Sequence, residues 1–220
     1  MAGALILASP HPAPDLLWAP VAGHPLLAWS VAACAQTPSI AETLLLVPDA
    51  WLADAEPLAT SEGWARVRVI PAGARLRENL EIGLRALDPS LVWVVIHEAA
   101  RPLASSSLLS GALEVAQQAD CDVVTGEPVK ETVKRLRDGL VVETLPRERM
   151  VRAQAPYIFS RERLLMAHES LPPERDFKDV ATLALAAGLP LRVFPGSPDN
   201  IRVTSAADVA VVASLLAGRS

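Results

Sequence analysis

Leu91-Val92-Trp93-Val94-Val95-Ile96-His97-Glu98-Ala99-Ala100-Arg101-Pro102 decides how the rest of the chain is read. Six consecutive apolar residues, rich in valine and closed by a polar cluster, predict a buried strand of a parallel sheet. Ligands of such sheets gather outside the carboxyl ends of the strands. Here that end carries His97, Glu98 and Arg101, with two alanines that let a ligand approach the backbone. Glu98 can hold a metal ion or a sugar hydroxyl. Arg101 can bind phosphate or hold the acid in place, and Pro102 turns the chain away. A structural ion pair between Glu98 and Arg101 is the competing reading.

Outward from this strand, short apolar runs alternate with helical stretches. Ala4–Ala8, Thr43–Val47, Val67–Ile70, Asp122–Gly126, Val151–Phe159 and Leu191–Phe194 read as further strands. Helices are predicted from the Pro20–Leu27 turn to about Gln36, over Asp49–Glu62, Glu78–Leu87, Ser105–Gln118, Arg161–Glu169, Phe177–Ala187 and Ser205–Leu216. Gly188 ends the sixth and Ser205 caps the last. Asn79 stands near a helix start, where it faces an anion or acts as a cap. The alternation implies an α/β fold: a mainly parallel sheet with helices on both faces. Alternating residues flank Asp138-Gly139, a hairpin-turn signal. The result is a protruding β-arm over about residues 130–148, too small for a core of its own and packed on a partner, most simply a second copy. Residues 1–220 then form one domain plus the arm.

Composition narrows the function. A net charge of −5 argues against a general nucleic-acid binder. Cys34 and Cys121 sit in apolar contexts and read as buried free thiols, with no zinc spacing. The run Ala4–Ala8 is too short for a signal peptide, and Asp208 interrupts the apolar C-terminal stretch. A cytoplasmic protein with no membrane partner is expected. One loop stands out: Ser9-Pro10-His11-Pro12-Ala13-Pro14 holds three prolines, which lack the N–H groups that cradle phosphate.

Four stretches resemble the 2-C-methyl-D-erythritol 4-phosphate cytidylyltransferase family. His97-Glu98-Ala99-Ala100-Arg101-Pro102 is similar to its His-Asp-Ala-Ala-Arg-Pro, and Pro128-Val129-Lys130-Glu131-Thr132-Val133-Lys134 to its Pro-Val-x-Asp-Thr-x-Lys arm. Arg152-Ala153-Gln154-Ala155-Pro156-Tyr157 is similar to Arg-Ala-Gln-Thr-Pro-Gln, and Asn200-Ile201-Arg202-Val203-Thr204 to Asn-Ile-Lys-Val-Thr. Four short motifs in the right order at the right spacing are specific. The resemblance implies a Rossmann-like sheet, a homodimer through the arm, and Mg²⁺-dependent transfer of CMP from CTP to a polyol phosphate. It implies Arg202, Glu98 and Arg147 as catalytic residues. Ala8, Ser9, Gly73, Asn79, Ala99 and Arg202 would surround the nucleotide, and Glu98 would hold the metal. Glu98, Arg101, Thr132 and Arg147 would bind the substrate, the last two reaching across from a partner.

The departures matter as much. The family opens with a Gly-rich loop carrying an arginine, then Pro-Lys-Gln. Here its glycine falls on Pro10, its lysine on Leu16 and its glutamine on Leu17. Losing one transition-state donor costs about 3–4 kcal/mol. His11, Arg75, Arg77 and Arg101 are the nearby basic residues available to compensate. Two functions are therefore weighed: an active cytidylyltransferase, and an impaired paralogue that keeps the fold and a sugar-phosphate or partner-binding role. Asp179 matches a family acid, with helix capping as its alternative. Arg147 and Arg149 lie two apart, so strand register decides which faces a site.

Overall fold

A computed structural model describes residues 1–8, 13–61 and 64–218. Ser9, expected at the nucleotide, and Pro10, His11 and Pro12 lie outside the described residues.

In chain order the strands and helices are β1 (Ala2–Leu7), β2 (Pro20–Val21), β3 (His24–Pro25), α1 (Leu26–Ala35), β4 (Ile40–Val47), α2 (Leu52–Ser61), β5 (Val67–Pro71), α3 (Leu76–Ala86), β6 (Trp93–Glu98), α4 (Ser106–Ala119), β7 (Asp122–Pro128), β8 (Val133–Arg137), β9 (Leu140–Leu145), β10 (Val151–Ser160), α5 (Arg161–Ser170), α6 (Val180–Ala186), β11 (Leu191–Pro195) and α7 (Ala206–Ala217). Seven strands form one sheet in the order β11-β7-β10-β6-β1-β4-β5. β10 runs antiparallel to both β6 and β7, and the remaining pairs are parallel. β6 therefore lies mid-sheet, where the expected central strand should be.

Side chains of one strand alternate between faces, and each face has its own core. Trp93 and Val95 pack with Leu27, Val31, Leu109, Leu113 and Val212, beneath α1, α4 and α7. Val94 and Ile96 point the other way, to Leu80, Leu84, Leu164 and Leu183 of α3, α5 and α6. Burying each such leucine or valine contributes about 1.5–3 kcal/mol, so β6 is fixed from both faces. The strand begins two residues later than its apolar run. Its pairing starts where Trp93 meets Ala2 of β1 and Ser160 of β10, which leaves Val92 62% exposed.

β8 and β9 form a separate two-stranded sheet. Asp138 and Gly139 have φ of +50° and +79°, the left-handed pair a tight hairpin turn requires. Leu136, Leu140, Val141 and Val142 are exposed on this arm. The helix expected from Phe177 begins only at Val180. Asp179 stops it from extending backward: its Oδ1 accepts from the Thr182 N–H at 2.7 Å as an N-cap. Residues 171–178 are left as an irregular wall beside the carboxyl end of β6. Ser205 caps α7 as expected, reciprocated by Asp208 Oδ2, which accepts from the Ser205 N–H at 2.9 Å.

Candidate functional site

The turn after β6 is built almost entirely from backbone. The Arg101 N–H donates to the Glu98 carbonyl at 3.0 Å, and the Arg101 carbonyl meets His97 Nε2 at 3.2 Å. The Ala99 N–H donates to Leu7 of β1 at 3.0 Å, and the Ser30 hydroxyl of α1 donates to the Ala99 carbonyl at 2.9 Å. The Ala100 carbonyl accepts from the Val203 N–H at 2.8 Å, which brings the segment before α7 against the turn.

That segment is anchored through fully buried Asn200. Its Nδ2 donates to the Ala155 carbonyl at 2.7 Å, and its own carbonyl accepts from Arg101 Nη1 at 2.7 Å. Gln154 holds the start of the segment by both ends of its amide, with Nε2 donating to Ser197 O at 3.0 Å and Oε1 accepting from Ser197 N at 3.2 Å. Gly196 permits this approach, since a Cβ there would stand 2.5 Å from Gln154 Oε1. Arg202 is thereby delivered to the end of β6.

Arg202 Nε lies 2.6 Å from Glu98 Oε2, and the buried Arg101 Nε lies 3.7 Å from Glu98 Oε1. The Arg101 N–H is too distant for a hydrogen bond and the Arg202 N–H is not aligned for one, so these are contacts of charge with capacity left over on Glu98 Oε2 and Arg101 Nε. Glu98 is 24% exposed and Arg202 41%, so the pair faces solvent while Arg101 backs it from below. The pair opens into a cleft of about 90 Å³. Its apolar lining includes Leu7, Leu76, Phe177 and Val180, and its polar lining includes Tyr157, Asp176, Lys178 and Asp179.

Burial sets the protonation here. It pulls His97 down to about 4, with the Arg101 charge acting the same way, so the ring is neutral near pH 7 and serves as a staple of the turn. Burial also pushes the Tyr157 phenol upward, leaving a neutral hydroxyl at the cleft. Among the described residues no group of three or more His, Cys, Asp or Glu is placed to hold a metal ion by itself.

Of the residues singled out from sequence, Glu98, Arg101 and Arg202 come together. Ala8 and Ala99 are buried beside one another at the ends of β1 and β6. Gly73 is half-buried after β5, and its N–H donates to Asn79 Oδ1 at 2.7 Å. Asn79 itself is completely buried within α3, where it tethers the Gly73 loop. Thr132 and Arg147 are exposed at the base of the arm and do not line the cleft of their own chain. Arg147 donates to the Lys130 carbonyl. Arg75 pairs with Glu78 at 2.8 Å, and buried Arg77 donates to the His168 and Leu171 carbonyls at the end of α5. Neither replaces a cation in the cleft. Asp179 both caps α6 and lines the cleft. Sequence reasoning missed Asp176, Phe177 and Lys178 as cleft residues. The one signal was charge on both sides of Phe177, in a run that read as helix.

A mainly parallel sheet with helices on both faces, and a charged cleft at the carboxyl end of its central strand, defines a Rossmann-like α/β domain. The family model of 2-C-methyl-D-erythritol 4-phosphate cytidylyltransferase, IspD, matches residues 13–217, and the chain belongs to this family. The cytidylyltransferase of Dehalococcoides mccartyi is 32% identical over 204 residues, covering 92% of this chain and 88% of that one. The bifunctional enzyme IspD/IspF of Paracoccus denitrificans is 34% identical over 198 residues, 90% of this chain and 50% of the relative, so the chain spans about half the length of the bifunctional relatives it matches. The crystal structure of 2-C-methyl-D-erythritol 4-phosphate cytidylyltransferase from Thermus thermophilus superposes with a TM-score of 0.79 at 26% identity, covering 98% of each chain.

Proposed function

We propose that the protein transfers the cytidylyl group of CTP to 2-C-methyl-D-erythritol 4-phosphate and releases pyrophosphate, a step of isoprenoid precursor synthesis. The observation that carries this reading is the Glu98–Arg202 contact, 2.6 Å across, held at the carboxyl end of β6. An oxygen of the acceptor phosphate attacks the α-phosphorus of CTP. The new P–O bond forms as the bond to the bridging oxygen breaks, and that oxygen leaves with pyrophosphate. Chemistry of this kind depends on positioning and on neutralising phosphate charge. Arg202 supplies positive charge beside the α-phosphate, and Glu98 accepts hydroxyls of the acceptor or shares a metal. Ala8, Gly73 and Ala99 line the base and ribose, and Asn79 acts there through Gly73.

The donor set fits a Mg²⁺ that arrives on the triphosphate. Glu98 Oε2 makes no hydrogen bond, although Arg202 Nε lies 2.6 Å from it, so the carboxylate keeps lone pairs for an ion, and Mg²⁺ commonly takes one or two carboxylates plus substrate phosphates. Bound there, the ion would screen the phosphate oxygens. Thr132 and Arg147 belong to the proposal through a homodimer in which each arm reaches the partner's cleft, burying the exposed Leu140 and Val141. A cytoplasmic setting, where CTP is made, completes the reading and suits the free thiols Cys34 and Cys121. No helix among the described residues is long and apolar enough to cross a membrane. The alternative, an impaired paralogue, is not favoured by relatives that are named as cytidylyltransferases.

The test is pyrophosphate release. It should require both CTP and 2-C-methyl-D-erythritol 4-phosphate, and Arg202→Ala should abolish it with the melting temperature nearly unchanged, since Arg202 is 41% exposed. Release without the acceptor, or full activity in Arg202→Ala, would contradict the reading.

A further inference from the structure

We propose that Lys178 contacts the phosphate of the acceptor; the inference rests on the transferase reading above. The charges lining the cleft are Glu98, Asp176, Lys178, Asp179 and Arg202. Four of them already have work. Arg202 is drawn onto Glu98 at 2.6 Å. Asp179 accepts from the Thr182 N–H and hydroxyl at 2.7 and 2.8 Å, and Asp176 accepts from the Phe177 N–H at 2.9 Å. Lys178, exposed at the rim, makes no hydrogen bond or ion pair with any described residue. Its ammonium is free to meet an incoming anion, and a lysine binds phosphate as a flexible point charge.

Topology assigns Lys178 to the acceptor rather than the nucleotide. The proposed nucleotide residues Ala8 and Gly73 follow β1 and β5, on one side of β6 in the strand order. The cleft reaches Leu7 and Leu76 on that side and Tyr157 of β10 on the other, and Lys178 stands just before α6, which leads to β11 on the Tyr157 side. A phosphate beside Lys178 places the rest of a polyol within reach of the Tyr157 hydroxyl and of Glu98.

The experiment compares wild type with Lys178→Gln and Lys178→Arg, by calorimetric titration with 2-C-methyl-D-erythritol 4-phosphate and by steady-state pyrophosphate release. Lys178→Gln should weaken acceptor binding and raise its KM at least tenfold, with kcat and the KM for CTP within about twofold. Lys178→Arg should recover most of the loss, and all three proteins should melt together. Lys178-dependent acceptor binding without pyrophosphate release would uphold this inference and sink the transferase reading. Equal binding by wild type and Lys178→Gln, no acceptor binding by wild type, or an effect confined to the KM for CTP, would overturn it.

Discussion

Glu98→Gln keeps the shape of the side chain and removes its charge, so it measures what the cluster at the end of β6 contributes. Two interactions are lost. The contact with Arg202, 41% exposed, is screened by solvent and contributes about 0.5–1 kcal/mol. The contact with Arg101 at 3.7 Å involves a guanidinium only 9% exposed, whose remaining fixed partner is the Asn200 carbonyl. Unpairing a buried ion costs roughly 3–5 kcal/mol where no partner remains. With Asn200 still accepting and no aligned hydrogen bond to lose, the cost here falls to about 1.5–2 kcal/mol. The sum is about 2–3 kcal/mol, a drop in melting temperature of roughly 5–10 °C for a chain of this size. Differential scanning calorimetry at pH 7 reads it, and pyrophosphate release on the same sample should fall by a factor on the order of 10² or more. A variant that melts with wild type would mean that Arg101 does not depend on Glu98. Unchanged turnover would remove Glu98 from the chemistry.

Two further outcomes are expected. His97 titrates near 6.5 in the unfolded chain and at about 4 when folded, so as pH falls the unfolded chain takes up the proton first. This contribution is complete above pH 6.5 and is lost as pH falls through 4, about 3 kcal/mol in all, so His97→Gln should flatten the fall in melting temperature between those values; a slope equal to that of wild type would count against a neutral buried ring. Deleting Val133 to Leu145 should convert a dimer into a monomer by light scattering, because Leu136, Leu140 and Val141 lie exposed there, whereas a dimer that survives the deletion would place the interface elsewhere.

The sheet could be read from the chain because its central strands β1 and β6 are apolar on both faces, a pattern that solvent-exposed segments do not produce. The hairpin was legible from two residues alone, Asp138 and Gly139, whose positive φ is what that dipeptide predicts. Glu98, Arg101 and Arg202 were legible as motifs. Their convergence was not, because it depends on Asn200 and Gln154 latching a distant segment onto β10 and the β6 turn. Asn79 illustrates a different limit. A polar residue near a helix start reads as cap or ligand, yet its carbonyl oxygen is turned onto Gly73, six residues back. The stretch Phe177–Ala187 carries apolar residues at helical spacing, and only Asp179, preferring to accept from Thr182, sets the true start. That capping choice leaves Lys178 on the cleft wall instead of on a helix. The antiparallel direction of β10 is likewise invisible to periodicity, since direction is set by the crossing of the arm.

The most direct measurement is calorimetric titration of CTP with Mg²⁺ into the wild-type protein, followed in the same sample by addition of 2-C-methyl-D-erythritol 4-phosphate and assay of pyrophosphate. A cleft with Arg202 beside the α-phosphate and Lys178 beside the acceptor phosphate predicts saturable CTP binding, then stoichiometric release on addition of the acceptor, despite the prolines of the first loop. A folded protein that gives no heat with CTP and no pyrophosphate would contradict the proposed transfer outright.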